Sequence, residues 1–482
     1  MNSTTRLTRM AVILAVVATT TFSAVSASAQ QSPPGPGPLR PYFFPKIEQF
    51  ALPNGMKVVL VEKHTLPIIS SRIILDAGAM REPASKGGLA NVAATLLSEG
   101  THELSGAEIA RRMESLGAQF DTFGSFSAAF VDVTALKDVY NDALALAAQT
   151  VMEPSFPVTE FERAKSEAIA AYEQNHSRTS GLAADAFNMA AFDPSAPFSR
   201  PPGGTKETLS ALTRDDVLAW AKAMYAPTGT TVLMVGDITA AEAKDALMRA
   251  FGSWNATRPP LSAITNQVRM DKGVRIVLVD RPASVQSTLM MGRAGFSATD
   301  PDYIPLLAVN HVFGGAVSSR LNTNLREKHG FTYGAFSRFD LRSGGGAFYL
   351  STEVRTNATD SALVETLKEY QRVVSEPVPE SELKGYVNNL ISGFPNAVQS
   401  NQGLQTRLQN LILWGLPIDY YATYRERLAA VTPADVQRAA AKLDPDDVIV
   451  VVAGDLSKIE KPIRALNVGT VEVWDANGKK VR

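Results

Sequence analysis

Cysteine is absent from all 482 residues, which removes disulfides, thiolate zinc ligands, iron–sulfur clusters and a cysteine nucleophile together. Histidine is scarce too. The five are His64, His102, His176, His311 and His329, and the closest two in sequence are the last pair, so no helical turn carries the two imidazoles of a local zinc motif. The net charge is −1, from 47 Lys+Arg against 48 Asp+Glu, and no block of like charge stands out. That balance leaves no electrostatic footprint for nucleic acid or an anionic membrane. No apolar run reaches the roughly 18 residues of a membrane span. A G-x-S-x-G nucleophile elbow is missing as well, and Ser318-Ser319 reads as a turn and helix start. The four tryptophans, Trp220, Trp254, Trp414 and Trp474, are dispersed and form no stacking platform.

What is present starts with an export signal. Arg6 and Arg9 precede the apolar run Met10–Val17, and Ala27-Ser28-Ala29 supplies a cleavage site before Gln30. Residues 1–29 are therefore expected to be removed. Residues 30–45 are a Pro/Gly-rich spacer, with the fold starting near Pro45.

An internal repeat sets the architecture. Gly55-Met-Lys-Val-Val-Leu-Val-Glu62 matches Gly273-Val-Arg-Ile-Val-Leu-Val-Asp280, and Val232-Leu-Met-Val-Gly-Asp237 matches Val450-Val-Val-Ala-Gly-Asp455. Both pairs read as buried strands. Leu212-Thr-Arg-Asp-Asp-Val217 matches Val431-Thr-Pro-Ala-Asp-Val436, with Thr213 or Thr432 as N-cap of a helix, and the boxes Thr239…Glu242 and Ser457…Glu460 follow. Each half runs from strands through helices (Leu89–Ser98, Gly106–Leu116, Val139–Val151 and Val158–Tyr172 in the first) back to a strand. The expected fold is α+β: two homologous tandem domains, residues 46–254 and 273–472, joined by a linker at 255–272 and followed by a tail at 473–482. A cleft between the halves is the expected binding place.

Ser85-Lys-Gly-Gly-Leu-Ala-Asn-Val-Ala-Ala-Thr-Leu-Leu-Ser-Glu-Gly-Thr101, with Leu75-Asp-Ala-Gly-Ala-Met-Arg-Glu-Pro83 before it, resembles the signature region of the M16 (pitrilysin/insulinase) peptidases. Leu325-Arg-Glu-Lys-His-Gly-Phe-Thr-Tyr-Gly-Ala-Phe336 resembles that family's C-terminal segment bearing an arginine–tyrosine pair. The resemblance implies half of a clamshell built from duplicated lobes. In the family's H-x-x-E-H, two histidines and a glutamate share one helix face to hold zinc and activate its water. Here those positions are Asn91, Ala94 and Thr95, none of which can do that work. The family's distal glutamate position falls near Ala170-Ala171-Tyr172, flanked by Glu167 and Glu173, which read as solvated helix charges.

The arginine–tyrosine pair is retained as Arg326 and Tyr333, the first near the end of a helix closed by Gly330 and the second on a strand starting at Thr332. A guanidinium fork and a phenol can together grip a peptide carbonyl or a developing oxyanion. The resemblance implies a chain with no catalytic residue and no metal of its own, inactive alone. It would serve as the substrate-binding subunit of a heterodimeric periplasmic zinc peptidase whose partner carries H-x-x-E-H and the zinc. The alternative it implies is an inactive scaffold or assembly protein of the cell envelope. Gly344-Gly-Gly346 before Ala347–Thr352 fits either a hairpin turn or a strand edge open to a peptide.

Overall fold

A computed structural model describes residues 42–264, 266–269 and 272–482. The expected signal peptide, residues 1–29, and most of the expected spacer lie outside these residues. The two repeats become two six-stranded mixed sheets. In the first, β1 (Glu48–Ala51), β2 (Lys57–Glu62), β3 (Ile68–Leu75), β4 (Gln119–Gly124), β5 (Ala129–Leu136) and β6 (Thr230–Gly236) lie in the order β1-β2-β6-β3-β5-β4. The second holds β7 (Arg275–Asp280), β8 (Gln286–Phe296), β9 (Ala335–Arg342), β10 (Gly345–Arg355), β11 (Ile449–Gly454) and β12 (Thr470–Trp474), in the order β12-β7-β11-β8-β10-β9. Five strands therefore match one for one, β2 with β7 and β6 with β11 as the repeat requires. The sixth differs: β1 is antiparallel to β2, whereas β12 is parallel to β7 and carries the chain across residue 472 into the tail.

The helices of the first half used below are α1 (Leu89–Thr95), α2 (Gly106–Ser115), α3 (Tyr140–Met152), α4 (Val158–His176), α5 (Thr179–Ala191), α6 (Arg214–Met224) and α7 (Ala240–Phe251). Those of the second used below are α8 (Tyr303–Asn310), α9 (Thr359–Ser375), α10 (Glu380–Ala397), α11 (Asn401–Trp414), α12 (Pro433–Ala440) and α13 (Leu456–Ala465). The reciprocal caps expected at Thr213, Thr239 and Thr432 all form, each hydroxyl accepting from the backbone of the acid three residues on, which bonds back. The one at Ser457 does not. Asp280 on β7 accepts from the Leu456 amide at 3.1 Å, so α13 begins two residues early and Ser457 bonds Asp455 instead. None of the helices in the described residues is long and apolar enough to cross a membrane.

The sheets are apolar on both faces, and this decides how the halves join. On β7, β8 and β11, Ile276, Leu278, Leu289, Met291, Val450 and Val452 face the second half's own helices, while Val277, Val279, Met290, Val451 and Ala453 share a cluster with the first half. The helix covering that second face is α5, delivered from the first half onto β8 and β11. Phe187 of α5 meets Tyr349 at a ring distance of 5.6 Å, and Thr288 donates to Thr179 at 2.8 Å. The exchange is mutual. Helix α11, from the second half, lies on β6 and β3, where Arg72 donates to Gln409 at 2.6 Å and Asn401 donates to the Val235 carbonyl at 3.2 Å. The described linker residues hold no helix or strand beyond a single bridge of Val268 to Phe192, and are pinned by Arg258 on Asp76 and by Arg81 on the Ser262 carbonyl. Of the three glycines at 344–346, Gly344 forms the β9–β10 hairpin turn with Ser343, and Gly345 and Gly346 open β10, paired with Arg342 and Leu341.

Candidate functional site

Helix α1 carries the degenerate motif. Glu82 seats its N-terminus, its two carboxylate oxygens accepting from the Gly88 and Ala90 amides at 2.9 Å each. Burial pushes the Glu82 carboxyl up to about 7, against these bonds and the nearby Arg200. The helix packs Leu89, Ala90, Val92, Ala93 and Ala94 into the core and turns Asn91 and Thr95, one turn apart, toward a cavity. A tighter final turn, Leu96–Glu99, completes the helix expected through Ser98.

This cavity, about 620 Å³, lies where the two halves meet. Its first wall is α1. Helix α4 supplies Ala164, Glu167, Ala168, Ala171 and Tyr172, so the distal-glutamate position faces the same space as Asn91 and Thr95. Helix α5, the Pro201–Gly204 loop and Met290, Asp340, Arg342 and Tyr349 of the second sheet close it. Asn91, Thr95 and Ala171 thus line one cavity. Asn91 has become a clamp: its Nδ2 donates to the Pro202 carbonyl at 3.1 Å, and its Oδ1 rests against Gly124, where a β-carbon would come within 2.4 Å. Ala94 is fully buried in the core, and Thr95 is exposed. Glu167 accepts from Arg163 at 2.8 Å and Glu173 from Lys206 at 2.5 Å, both as surface pairs. Among the described residues no three His, Asp or Glu side chains gather as a metal would require.

One acid in the wall lay unnoticed in the sequence. Asp185 belongs to α5, and burial pushes its carboxyl up to about 6, opposed by His176, whose Nε2 lies 3.3 Å away. His176 also bonds the Tyr172 carbonyl at 3.1 Å and stacks on that ring at 3.9 Å. A lone charge in the mostly apolar stretch Leu182–Ala191 was the available signal.

Arg326 and Tyr333 stand elsewhere. Arg326 lies in the wide turn Thr323–Lys328 after Ser319 caps the helix start, with its side chain 44 % exposed and 3.3 Å from Glu327. Gly330, at φ +62°, ends that turn, and the Phe331 amide returns to the Leu325 carbonyl at 2.9 Å. Tyr333 is not on a strand, contrary to the expectation, because β9 begins at Ala335. Thr332 and Thr352 hydroxyls bond the Gly334 carbonyl at 2.9 and 3.0 Å, holding a side-chain-pinned turn in place of a ladder. On that turn Tyr333 is 93 % exposed. The pair and the cavity sit toward opposite ends of β9: from Ala335 to Asp340 the strand covers about 17 Å.

Comparison with known proteins agrees with this geometry. The family model described as "Insulinase (Peptidase family M16)" matches residues 57–196, and the one described as "Peptidase M16 inactive domain" matches residues 211–390. An uncharacterized zinc protease of Streptomyces coelicolor is 24% identical over 412 residues, covering 82% of this chain and 86% of its own. A protein of Helicobacter pylori named a non-peptidase homolog is 22% identical over 390 residues, covering 79% and 87%. The crystal structure of a peptidase M16 inactive domain from Pseudomonas fluorescens superposes with a TM-score of 0.80 at 25% identity, covering 85% of this chain and 98% of that one. A protease from Helicobacter pylori has the same fold, with a TM-score of 0.80 at 19% identity over 86% of this chain and 100% of its own. With both lobes matched and no H-x-x-E-H anywhere in the sequence, the chain belongs to the M16 peptidase family as one of its non-catalytic members.

Proposed function

We propose that this chain is the substrate-gripping subunit of a two-chain M16-type zinc peptidase of the periplasm, lending Arg326 and Tyr333 to a partner that carries H-x-x-E-H and the zinc. One observation carries the reading: Tyr333 is 93 % exposed on a turn pinned by Thr332 and Thr352, at the far end of β9 from the chain's own degenerate cavity. An exposed phenol on a braced turn is prepared to meet another molecule, and it is too remote from Asn91 and Thr95 to serve a centre in its own chain. Arg326, half-exposed and paired among the described residues with the neighbouring Glu327, presents guanidinium donors to solvent. The chain itself then needs no zinc and contributes positioning and oxyanion binding to peptide hydrolysis on the partner's metal.

The test is reconstitution with an M16 chain bearing H-x-x-E-H. Tyr333→Phe or Arg326→Ala should lower kcat by roughly 10²–10³, the usual effect of losing one oxyanion donor, while assembly and melting temperature hold. Full turnover by a well-assembled double variant rejects the role and leaves the inactive scaffold.

A further inference from the structure

The repeat leaves β12 unmatched, and that strand with its tail helps build a second cavity, of about 690 Å³. The tail folds back on the strand, where the Val481 amide donates to the Val473 carbonyl at 2.7 Å. Trp474 and Lys480 thereby line the cavity together with Arg200, Pro201 and Thr205 of the first half.

The charge on its walls is lopsided. Four cations line it, Arg200, Arg269, Arg275 and Lys480, against the single carboxylate of Glu472. Glu472 is already shared: it accepts from the Trp474 indole at 2.9 Å and pairs with Lys480 at 3.4 Å and Arg275 at 3.6 Å. Arg275 also donates to the Ala190 carbonyl at 3.4 Å, and Arg269 acts on Asp193. Arg200 has no such engagement. Among the described residues its guanidinium forms no hydrogen bond and no ion pair. Glu82, the carboxyl that its charge reaches, is taken by the Gly88 and Ala90 amides.

Of the guanidinium nitrogens of Arg200, Nη1 alone is sealed in protein, which leaves the edge made by Nε and Nη2 as the one that can meet a ligand. The same chain shows what that edge takes. Arg320 also has its Nη1 enclosed and unbonded, and its Nε and Nη2 donate to the two oxygens of Glu382 at 2.8 and 2.7 Å. Arg200 repeats the arrangement without the carboxylate. Ala84, Met189, Pro194 and Trp474 add apolar surface around it, and the volume suits a small organic molecule.

We propose that this cavity binds an organic carboxylate with an apolar body, its two oxygens lying on the Nε–Nη2 edge of Arg200 and Lys480 serving as a second cation. Neither Arg326 nor Tyr333 takes part, so the site stands or falls apart from the peptidase-subunit reading. A free organic acid and the C-terminal carboxylate of a short peptide share this chemistry, and the probes separate them.

Titration calorimetry on the purified mature chain, at about pH 7 where carboxylates are charged, compares hydrocinnamate with its neutral amide, and the dipeptide Ala-Leu with its C-terminal amide. An acid is expected to bind at least about tenfold more tightly than its amide, and Arg200→Gln to erase that preference with the melting temperature held. Ala84→Trp, at the exposed rim, should block entry from a different part of the wall. Tighter binding of the dipeptide than of hydrocinnamate identifies a peptide terminus as the source; the reverse order identifies a free acid. Equal binding of acid and amide, a preference that survives Arg200→Gln, binding undiminished by Ala84→Trp, or no binding of either acid at about 10 mM would overturn the proposal.

Discussion

The Ala335 amide donates to the Oδ1 of Asn322 across 3.1 Å, and this bond fixes the point from which Tyr333 is presented. Asn322 is completely buried, and its Nδ2 donates to the Val317 carbonyl at 2.6 Å, so one amide ties the start of β9 to the segment preceding Arg320. Tyr333 and Arg326 are thereby carried on backbone held from both sides.

Asn322→Leu should cost about 2–4 kcal/mol, since it leaves the Ala335 amide and the Val317 carbonyl unpaired in the core. Denaturant titration reads the loss. Chymotrypsin should also cut after Tyr333 faster in the variant, and an unchanged cleavage rate would show that the turn is held without Asn322.

Asp185 predicts a pH effect with a definite sign. Its folded-state carboxyl is pushed up from 3.8 to about 6, so the folded protein holds this proton more tightly than the unfolded chain. The stability this contributes is complete below about 3.8 and is lost as pH rises through about 6. Asp185→Asn lacks the loss, so the difference between variant and wild type should shift toward the variant by about 2–3 kcal/mol from pH 4 to 7. A pH-independent difference would mean that His176 compensates the charge in full.

Asn91, Thr95 and Ala171 line one cavity, so a metal site should be installable there. The purified wild-type chain is expected to hold no stoichiometric zinc. The triple variant Asn91→His, Thr95→His, Ala171→Glu should take up one zinc, raising its melting temperature in a chelator-sensitive way. Stoichiometric zinc in the wild type, measured by metal analysis, contradicts the first expectation; a triple variant without metal contradicts the second.

Export is checked by N-terminal sequencing of the envelope form, which should begin at or near Gln30. A mature chain that retains Met1 defeats the periplasmic assignment.

Much of the fold was legible because its causes are local or repeated. The strand runs at 57–62 and 275–280 and the threonine caps at 213, 239 and 432 rest on short-range chemistry that the repeat states twice. Where a distant group intervened, local reading failed. Asp280 took over the cap expected of Ser457, and Thr352 turned the stretch after Thr332 from strand into a pinned turn. The position of the motif helix and of Ala171 followed from the family resemblance, but nothing in the order of residues places Asp185 in the same wall. That depends on which sheet α5 covers, and an apolar helix does not announce its sheet.

The exchange of α5 and α11 makes the duplication an interlock, like two hands each gripping the other's wrist. Neither half owns a finished core, because each completes the other's sheet with a borrowed helix. Opening the two lobes about the 255–272 linker would strip an apolar face from both sheets at once, so the two lobes of this chain are expected to move as one body. For the same reason the first half expressed alone should not be a stable monomer. Its α5 would seek a sheet, its own sheet would seek a helix, and a second copy of itself is the nearest thing offering both.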